Sequence, residues 1–211
     1  MPKEGKISDS VIRRLPRYYR FLGELQEEGI TKISSGELSQ RMKLTASQIR
    51  QDLNCFGGFG QGYGYNVSEL RAEIGGIIGT DKRLKAILIG AGNLGKAVAL
   101  HLDFENCGYR LIGVFDSNPE LDNVSVGNIK ILNISLLEEF CKENSPQTAI
   151  LCIPKENAKE LCDKLVGLGI RSFWNFSHFD LTLEYEGENI VVENVHLGDS
   201  LLTLAYKTNN R

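Results

Sequence analysis

The chain has 211 residues, of which 42% are hydrophobic and 24% charged, and its formal net charge is −3. That size suits one large domain or two small ones. No apolar run approaches the roughly 20 residues that span a bilayer, the first ten residues lack the apolar part of a secretory signal, and the cysteines form no C-x-x-C pair. We therefore expect a soluble, cytoplasmic protein with reduced thiols, no membrane segment and no metal site.

Residues 8–28 carry apolar side chains at three- and four-residue steps, which predicts a helix. Pro16 lies inside this pattern, so the helix begins or kinks there. The first 80 residues hold 11 Lys and Arg against 9 Asp and Glu, whereas the rest of the chain is acidic. Arg14 and Arg17 belong to this mildly basic part. Two interpretations stay open for them: a solvated basic face, or contacts with nucleic-acid phosphates.

Two short helices follow, and each is preceded by a capping box. The boxes are Ser34 to Glu37 and Thr45 to Gln48, so the helices are predicted to begin near residues 35 and 46. Two helices joined by such a short turn form a helix-turn-helix unit.

The second of these helices presents a polar face. If Ala46, Ile49 and Leu53 point inward, the outward and flanking side chains are Ser47, Gln48, Arg50 and Gln51. Gln, Ser and Arg read base edges in the major groove of DNA, but they are also ordinary surface residues. The pattern is therefore consistent with DNA reading and with a protein-interaction bundle.

The glycine-rich stretch FGGFGQGYGYNV, residues 56–67, comes next. Its glycines permit the positive φ angles of tight turns, and Tyr63, Tyr65 and Val67 alternate as in a strand. Because aromatic side chains are interleaved, a packed hairpin is favoured over a flexible linker, and such a hairpin completes a winged helix. A further helix, capped by Ser68, is predicted over 68–80, before a domain boundary near 79–82.

The second half opens with the most specific pattern in the chain. A buried strand over 85–89 is followed by a glycine-rich turn and a helix over 97–102. The turn consists of Gly90, Ala91, Gly92, Asn93, Leu94 and Gly95. This G-x-G-x-x-G pattern between a strand and a helix predicts a dinucleotide site.

The next strand ends at Asp116, 21 residues beyond Gly95. A carboxylate at that place binds the hydroxyls of the adenosine ribose. The following residues, Ser117, Asn118 and Pro119, supply no arginine for a 2′-phosphate. NAD(H) is therefore favoured over NADP(H).

Strands and helices alternate in the remainder of the chain, which predicts a parallel, doubly wound sheet. The strands are predicted near 129–132, 148–153 and 170–176, and the helices from Ser135 and over 155–168. Ligands of such sheets bind beyond the carboxyl ends of the strands, where this chain has Pro154, Asn175, Phe176 and Ser177.

Two elements complete the chain. Residues 182–195 are interpreted as a late hairpin. Residues 200–207 form a short helix with an apolar face, which must pack on this subunit or on a partner.

No catalytic constellation accompanies the nucleotide fold. The chain has no Tyr-x-x-x-Lys pair and no second domain to form a substrate pocket, and His101, His178 and His196 are each explained as packed or surface residues. A helix-turn-helix joined to a nucleotide fold indicates a sensor rather than an enzyme. Two alternatives remain: an NAD-dependent oxidoreductase with an accessory interaction domain, and a CoA- or nucleotide-binding regulatory subunit that does not bind DNA.

Over nearly its whole length the chain resembles the Rex family of redox-sensing transcriptional repressors. The resemblance rests on the segments RRLPRYYRFL, ISSGELSQRM, SQIRQDLNCFGGFG, GYGYNV, IGAGNLGKA, FDSNP, LCIP, WNF and VVENV. It implies a homodimer with an N-terminal winged helix (1–80), a Rossmann NAD(H)-binding domain (81–195) and a C-terminal helix exchanged between subunits (196–211). It also implies binding to palindromic operator DNA, release of that DNA by NADH, and competition by NAD+.

The same resemblance, with the patterns above, assigns residues to two sites, with none catalytic and none metal-binding. The implied DNA contacts are Arg14, Arg17, Ser35, Thr45, Ser47, Gln48, Arg50, Gln51, Gln61 and Tyr63. The implied cofactor contacts are Gly90, Ala91, Gly92, Asn93, Leu94, Gly95, Asp116, Ser117, Ile153, Pro154, Asn175, Phe176 and Ser177. The chain departs from the family at Gln51, where Lys or Arg is common, and in a shorter wing that carries no cation.

Overall fold

The computed structural model describes residues 7–56 and 64–210. The chain divides into two compact units between Asp81 and Lys82. The predicted wing contacts Gln61 and Tyr63 lie outside the described residues. Within the described ranges, no helix is both long enough and apolar enough to cross a bilayer.

The first unit contains, over its described residues, five helices and two short strands. The helices are α1 (Asp9–Ile12), α2 (Leu15–Glu27), α3 (Ser35–Met42), α4 (Ala46–Asn54) and α5 (Val67–Ile78). The strands β1 (Lys32–Ile33) and β2 (Tyr65–Asn66) pair antiparallel. The helical break is confirmed at Pro16, which sits in the first turn of α2, where a missing N–H costs nothing. Strand β1 has no counterpart among the predicted elements, since two residues show no periodicity.

Side-chain caps determine where α3 and α4 begin. Ser34 and Glu37 form the predicted capping box: Ser34 Oγ accepts from the Glu37 amide at 3.1 Å, and Glu37 Oε2 accepts from the Ser34 amide at 2.8 Å. At α4 only half of the predicted box exists. Thr45 Oγ1 accepts from the Gln48 amide at 3.1 Å, but the Gln48 side chain bonds to a different partner.

The cap of α5 differs from the prediction. Asn66 Oδ1, and not Ser68, accepts from the first-turn amides, those of Ser68 and Glu69. Asparagine is among the strongest N-cap residues, so the helix begins at Val67 and the strand before it ends after two residues. Gly79, with φ of +84°, terminates the helix.

One apolar core fills the first unit. Its largest fully buried side chains are Leu15, Tyr18, Leu22, Leu25, Leu38, Met42, Ile49, Leu53 and Ile74. Ile49 and Leu53 are buried as predicted, whereas Ala46 is only half-buried. Asp52 is fully buried as well. The helical pattern does not predict that burial, since carboxylates are almost never buried unless they are paired.

Residues 82–210, all of them described, form a seven-stranded sheet flanked by helices. The strands are β3 (Leu84–Ile89), β4 (Tyr109–Asp116), β5 (Ser125–Val126), β6 (Ile129–Asn133), β7 (Thr148–Leu151), β8 (Ser172–Asn175) and β9 (Val191–Asn194). Their order is β5-β6-β4-β3-β7-β8-β9, and all neighbours are parallel except β5 and β6. The doubly wound parallel sheet is therefore confirmed.

Five α-helices accompany this sheet. They are α6 (Asn93–His101), α7 (Leu137–Asn144), α8 (Ala158–Gly167), α9 (Leu181–Glu184) and α10 (Leu197–Asn209). Residues of α7, α8 and α9 pack in one apolar cluster and α6 packs in the other. None of the residues of α10 is buried.

The hairpin predicted over 182–195 is wrong. Asp180 Oδ1 accepts from the amides of Thr182 and Leu183 and so starts the short helix α9. The apolar residues after α9 do form a strand, β9. It pairs parallel with β8 and so forms one edge of the sheet, where Asn175 Nδ2 donates to Asn194 Oδ1 at 2.8 Å. A strand pattern predicts the strand and not its partner.

Two glycines allow β3 to turn tightly into α6. Gly90 has φ of +96°, and a Cβ there would lie 2.3 Å from the carbonyl oxygen of Cys152. A Cβ at Gly95 would lie 1.8 Å from the carbonyl oxygen of Gly90. The first turn of α6 can therefore approach the end of β3 this closely only if residue 95 has no side chain.

Substituting Gly95→Ala should destabilise the second unit by about 3 kcal/mol or more, because the added methyl group overlaps main chain that cannot rotate away. Thermal unfolding followed through Trp174, the single tryptophan, measures the effect. Gly167→Ala is the matched control, since a Cβ there meets nothing within 4 Å. An unchanged Tm for Gly95→Ala would contradict the close approach of α6 to β3.

Candidate functional site

The outward face of α4 and the segment around α1 form the first candidate site. Ser47, Arg50 and Gln51 are exposed there, and Gln48 is half-buried. These four side chains line an open groove of about 830 Å³ whose opposite wall comes from residues 7–14. Hydroxyl, amide and guanidinium groups on one helical face are the groups that hydrogen-bond base edges.

Asp52 lies beneath this face and has no exposed surface. Its Oδ1 accepts from Arg14 Nη2 and from Gln48 Nε2, each at 2.8 Å. Its Oδ2 accepts from Arg14 Nε at 2.7 Å and from the Tyr18 hydroxyl at 2.9 Å. A buried charge is tolerated only when it is paired and hydrogen-bonded. Three of these bonds tie α4 to Arg14 and Tyr18 at the start of α2, and the fourth joins Gln48 to Asp52 within α4.

The same bonds set the ionisation of the groups. Burial acts to raise the pKa of Asp52, but the hydrogen bonds from Arg14, Gln48 and Tyr18 together lower that pKa below its ordinary value. The pKa of Arg14 is raised by its hydrogen bond to Asp52. Burial, and then the bond to Asp52, raise the pKa of Tyr18. At neutral pH the Asp52 carboxylate is therefore charged and acts only as an acceptor.

Other side chains predicted to contact DNA have partners inside the first unit. Arg17 donates to the main-chain carbonyl of Met42. Arg50 Nη1 donates to Ser35 Oγ at 3.0 Å, which joins the start of α3 to α4. Thr45 is the cap of α4. The structure thus brings Ser35, Thr45 and the α4 residues together, while Arg14 and Arg17 brace the helices.

The second candidate site is a cleft of about 660 Å³ at the carboxyl ends of the parallel strands. Of the predicted cofactor residues, the cleft is lined by Gly90, Gly92, Asp116, Ser117, Ile153 and Pro154. Gly92 is the N-cap residue of α6, and no side chain caps this helix end. The first amides of a helix without a side-chain cap bind anions well, because they combine unpaired N–H groups with the positive end of the helix dipole.

Asp116 is held at the rim of this cleft by two main-chain amides. Its Oδ2 accepts from the Ala91 amide at 2.6 Å, and its Oδ1 accepts from the Asn118 amide at 2.8 Å. Each carboxylate oxygen has a further lone pair. Asp116 can therefore accept from ribose hydroxyls while it keeps its contact with the glycine-rich turn.

The other predicted cofactor residues do not line the cleft. Ala91 and Gly95 are buried in the turn, and Asn93 and Leu94 are exposed at the start of α6. Asn175, Phe176 and Ser177 lie at the end of β8, beside the end of β7.

Asn175 is fully engaged inside the protein. Its Oδ1 accepts from the amide and the hydroxyl of Ser177, at 3.0 and 2.6 Å, and its Nδ2 donates to the Phe179 carbonyl and to Asn194 Oδ1. These bonds brace the loop after β8 against β9.

Sequence reasoning missed the wall of the cleft that α8 and the turn before it supply. That wall consists of Asn157, Glu160, Leu161 and Lys164. One signal was present: Pro154 directly precedes the predicted helix, so the first turns of that helix must lie over the same strand ends.

The cleft fits a dinucleotide. A Cβ at Gly92 would meet nothing within 4 Å, so the backbone there is open to a bulky ligand. The uncapped start of α6 and the Asp116 carboxylate suit a pyrophosphate and a ribose. Among the residues that the structure describes, no group of three or more His, Cys, Asp or Glu could hold a metal ion.

Two of the buried or partly buried cysteines are poor candidates for redox chemistry. Burial raises the pKa of Cys152, which lines the cleft, to about 11, and burial raises that of Cys162 to about 12. Such thiols stay protonated at neutral pH, and the protonated thiol is a weak nucleophile.

Two family models match the chain. The one described as "Putative DNA-binding protein N-terminus" matches residues 6–54, and the one described as "CoA binding domain" matches residues 81–179. A relative, the redox-sensing transcriptional repressor Rex of Thermoanaerobacter pseudethanolicus (strain ATCC 33223 / 39E), is 50% identical over 210 residues. That alignment covers 99% of this chain and 92% of the relative.

Two solved structures are similar over 98% of this chain. The Rex-type protein RSP in complex with beta-NAD+ and operator DNA is 48% identical, with a TM-score of 0.89 and 94% of that chain covered. RSP in complex with beta-NADH is 46% identical, with a TM-score of 0.88 and 96% of that chain covered.

Asp52→Ala should lower the free energy of unfolding by about 3 kcal/mol at neutral pH, because Arg14 and Tyr18 lose a buried partner. The folded-state pKa of Asp52 is depressed, so this stabilisation is present above the unfolded value and disappears as pH falls through the folded one. Urea unfolding at several pH values should show a constant difference from wild type above about pH 5 that shrinks below about pH 4. Glu24→Ala, at an exposed site, is the control. If the difference in unfolding free energy between Asp52→Ala and wild type is undiminished at about pH 2, the ion pair between Asp52 and Arg14 would be contradicted.

Proposed function

The chain belongs to the Rex family of redox-sensing transcriptional repressors, and from that premise we propose which of its residues carry each part of the function. It is a repressor and not an enzyme, it binds operator DNA, and it senses NADH and NAD+. We infer further that NADH releases the operator and that NAD+ competes with NADH for the same cleft. Because its target is DNA, the protein acts in the cytoplasm.

The α4 face is the part that reads DNA. Ser47, Gln48, Arg50 and Gln51 occupy one helical face above a braced core, which suits a helix that enters the major groove. The Arg50 guanidinium, held by Ser35, lies where it can reach a base edge or a phosphate. Since Gln51 is neutral, α4 offers one cation rather than two to the DNA.

The cleft above the glycine-rich turn is the part that binds NAD(H). The observation that carries this assignment is the uncapped N-terminus of α6 beside the pre-positioned Asp116 carboxylate. Gly92 and the first amides of α6 would hold the pyrophosphate, and Asp116 the adenosine ribose. Ile153 and Pro154 would line the nicotinamide side, supported from behind by Asn175, Phe176 and Ser177. The family model's description names CoA, but the related structures hold NAD+ and NADH.

The coupling between the two sites must come from differential affinity. NADH has to bind the arrangement that is released from DNA more tightly than the arrangement that is bound to it. Moving that equilibrium from 1:99 to 99:1 requires a total difference of about 5.5 kcal/mol between the free energies with which NADH binds the two arrangements. In a homodimer two cleft ligands share this requirement, so each has to supply only about half of it.

A homodimer with an exchanged C-terminal helix accounts for the exposed apolar surface of α10. Leu201 and Leu202 are 66% and 70% exposed, and Tyr206 is 71% exposed. An apolar groove of about 350 Å³, which includes Ile150 and Trp174, lies on the face of β7, β8 and β9 opposite α8. Exposed apolar patches of this kind mark interaction sites. We propose that α10 of a second copy covers this groove.

Asp116→Ala should weaken NADH binding by roughly 10- to 100-fold, because a charged acceptor of the ribose hydroxyls is lost. In a gel-shift assay, an operator duplex selected in vitro is titrated with NADH. The duplex should stay bound to the Asp116→Ala variant at NADH concentrations that release it from wild type. DNA affinity without nucleotide should not change. If the variant released the duplex at the same NADH concentration as wild type, the assignment of Asp116 to the ribose would be contradicted. If NAD+ released the duplex from wild type at an equal concentration, the proposed response to NADH would be contradicted.

Leu201→Glu should dissociate the dimer, because it places a charge in the proposed helix-exchange interface at a cost of several kcal/mol. Sedimentation equilibrium of the full chain measures the subunit mass. Thr203→Glu introduces the same charge on the polar side of α10 and is the matched control. A Leu201→Glu variant that remains dimeric at the wild-type concentration range would exclude α10 from the interface.

A further inference from the structure

The side chain of Gln48 is held in one orientation. A glutamine amide accepts at Oε1 and donates at Nε2, whereas the charged Asp52 carboxylate only accepts. Gln48 Nε2 therefore faces Asp52 Oδ1, at 2.8 Å. The flipped amide would bring two acceptor oxygens together, and the carboxylate cannot turn away, because Arg14 and Tyr18 hold its other bonding positions.

This orientation decides which group Gln48 offers to the groove. With one N–H directed at Asp52, the carbonyl oxygen Oε1 and the second N–H remain for a ligand. Adenine presents the complementary pair in the major groove, an N6 amino donor beside the N7 acceptor, whereas guanine presents two acceptors, O6 and N7. A glutamine that could rotate freely would serve several bases, but a fixed one discriminates between the two purines.

We propose that Gln48 selects adenine at one position of each operator half-site and that Asp52 is the positioning residue that imposes this choice. The inference rests on the proposed function of α4 as the helix that reads DNA. Asp52 touches no base and acts through Gln48. The second capping box is left incomplete for the same reason, since the Gln48 side chain that would close it is used by Asp52.

The substitution Asp52→Ala separates positioning from mere support. Arg14 donates to both carboxylate oxygens, so an amide at position 52 would not replace them, whereas alanine removes the acceptor that fixes Gln48. Gln48 can then turn either its oxygen or its amino group to the groove. Two N–H donors suit the two acceptors of guanine. The variant should therefore accept guanine as well as adenine at this position rather than only lose affinity.

The experiment is an in vitro selection from a randomised duplex library with the full-length chain. Wild type should enrich adenine at one position of each half-site, Gln48→Ala should lose the preference there and nowhere else, and Asp52→Ala should enrich guanine and adenine alike at that position. Tyr18→Phe removes a different donor from Asp52 and is the matched control. It should keep the adenine preference even if its Tm falls.

A second measurement does not use an Asp52 variant, so it stands even if Asp52→Ala fails to fold. Replacing the selected adenine by purine, which lacks the N6 amino group, or by 7-deazaadenine, which lacks N7, should weaken binding on the order of tenfold each. Gln48→Ala should not distinguish these bases. Equal binding of all three bases by wild type would overturn the proposal, and so would an unchanged preference for adenine over guanine in folded Asp52→Ala. If wild type enriches no sequence at all, the proposed function of α4 itself fails.

Discussion

The DNA-binding unit depends on one buried carboxylate. Asp52 has no exposed surface and accepts four hydrogen bonds from Arg14, Tyr18 and Gln48. A buried charge that loses its partners costs several kcal/mol, so α4 cannot slide or rotate against α2 without breaking the set. The direction of the α4 face follows from this constraint. So does the orientation of Gln48, the side chain that shares the carboxylate and that we propose selects adenine.

The nucleotide-binding unit is constrained in a different way, by main-chain contact. Gly95 lets α6 begin directly against the end of β3, and this places the uncapped amides of α6 at the cleft. The Ala91 amide in turn fixes Asp116 at 2.6 Å. In both units, hydrogen bonds within the protein thus fix the groups that we propose face the ligands, and groups fixed in this way reduce the ordering cost of recognition.

Local patterns in the sequence predicted most of the fold, while contacts distant in sequence account for what was missed. The caps at Ser34 and Thr45, the break at Pro16 and the glycine-rich turn are each encoded within a few residues, and Asp116 follows Gly95 at a characteristic spacing of 21 residues. The burial of Asp52 was not predictable, because its main partner, Arg14, lies 38 residues away. The parallel pairing of β9 and the α8 wall of the cleft were missed for the same reason. Each requires knowing which elements become neighbours.

We propose that a nucleotide in the cleft and DNA on α4 act on one equilibrium, and thermodynamic linkage between the two ligands can be measured. Calorimetry should measure NADH affinity for the full chain with and without a saturating operator duplex. If NADH weakens operator binding by a given factor, the operator must weaken NADH binding by the same factor, and NAD+ must show a smaller effect. Equal NADH affinity in the presence and absence of DNA would show that the cleft and α4 bind their ligands independently, which would contradict the proposed coupling.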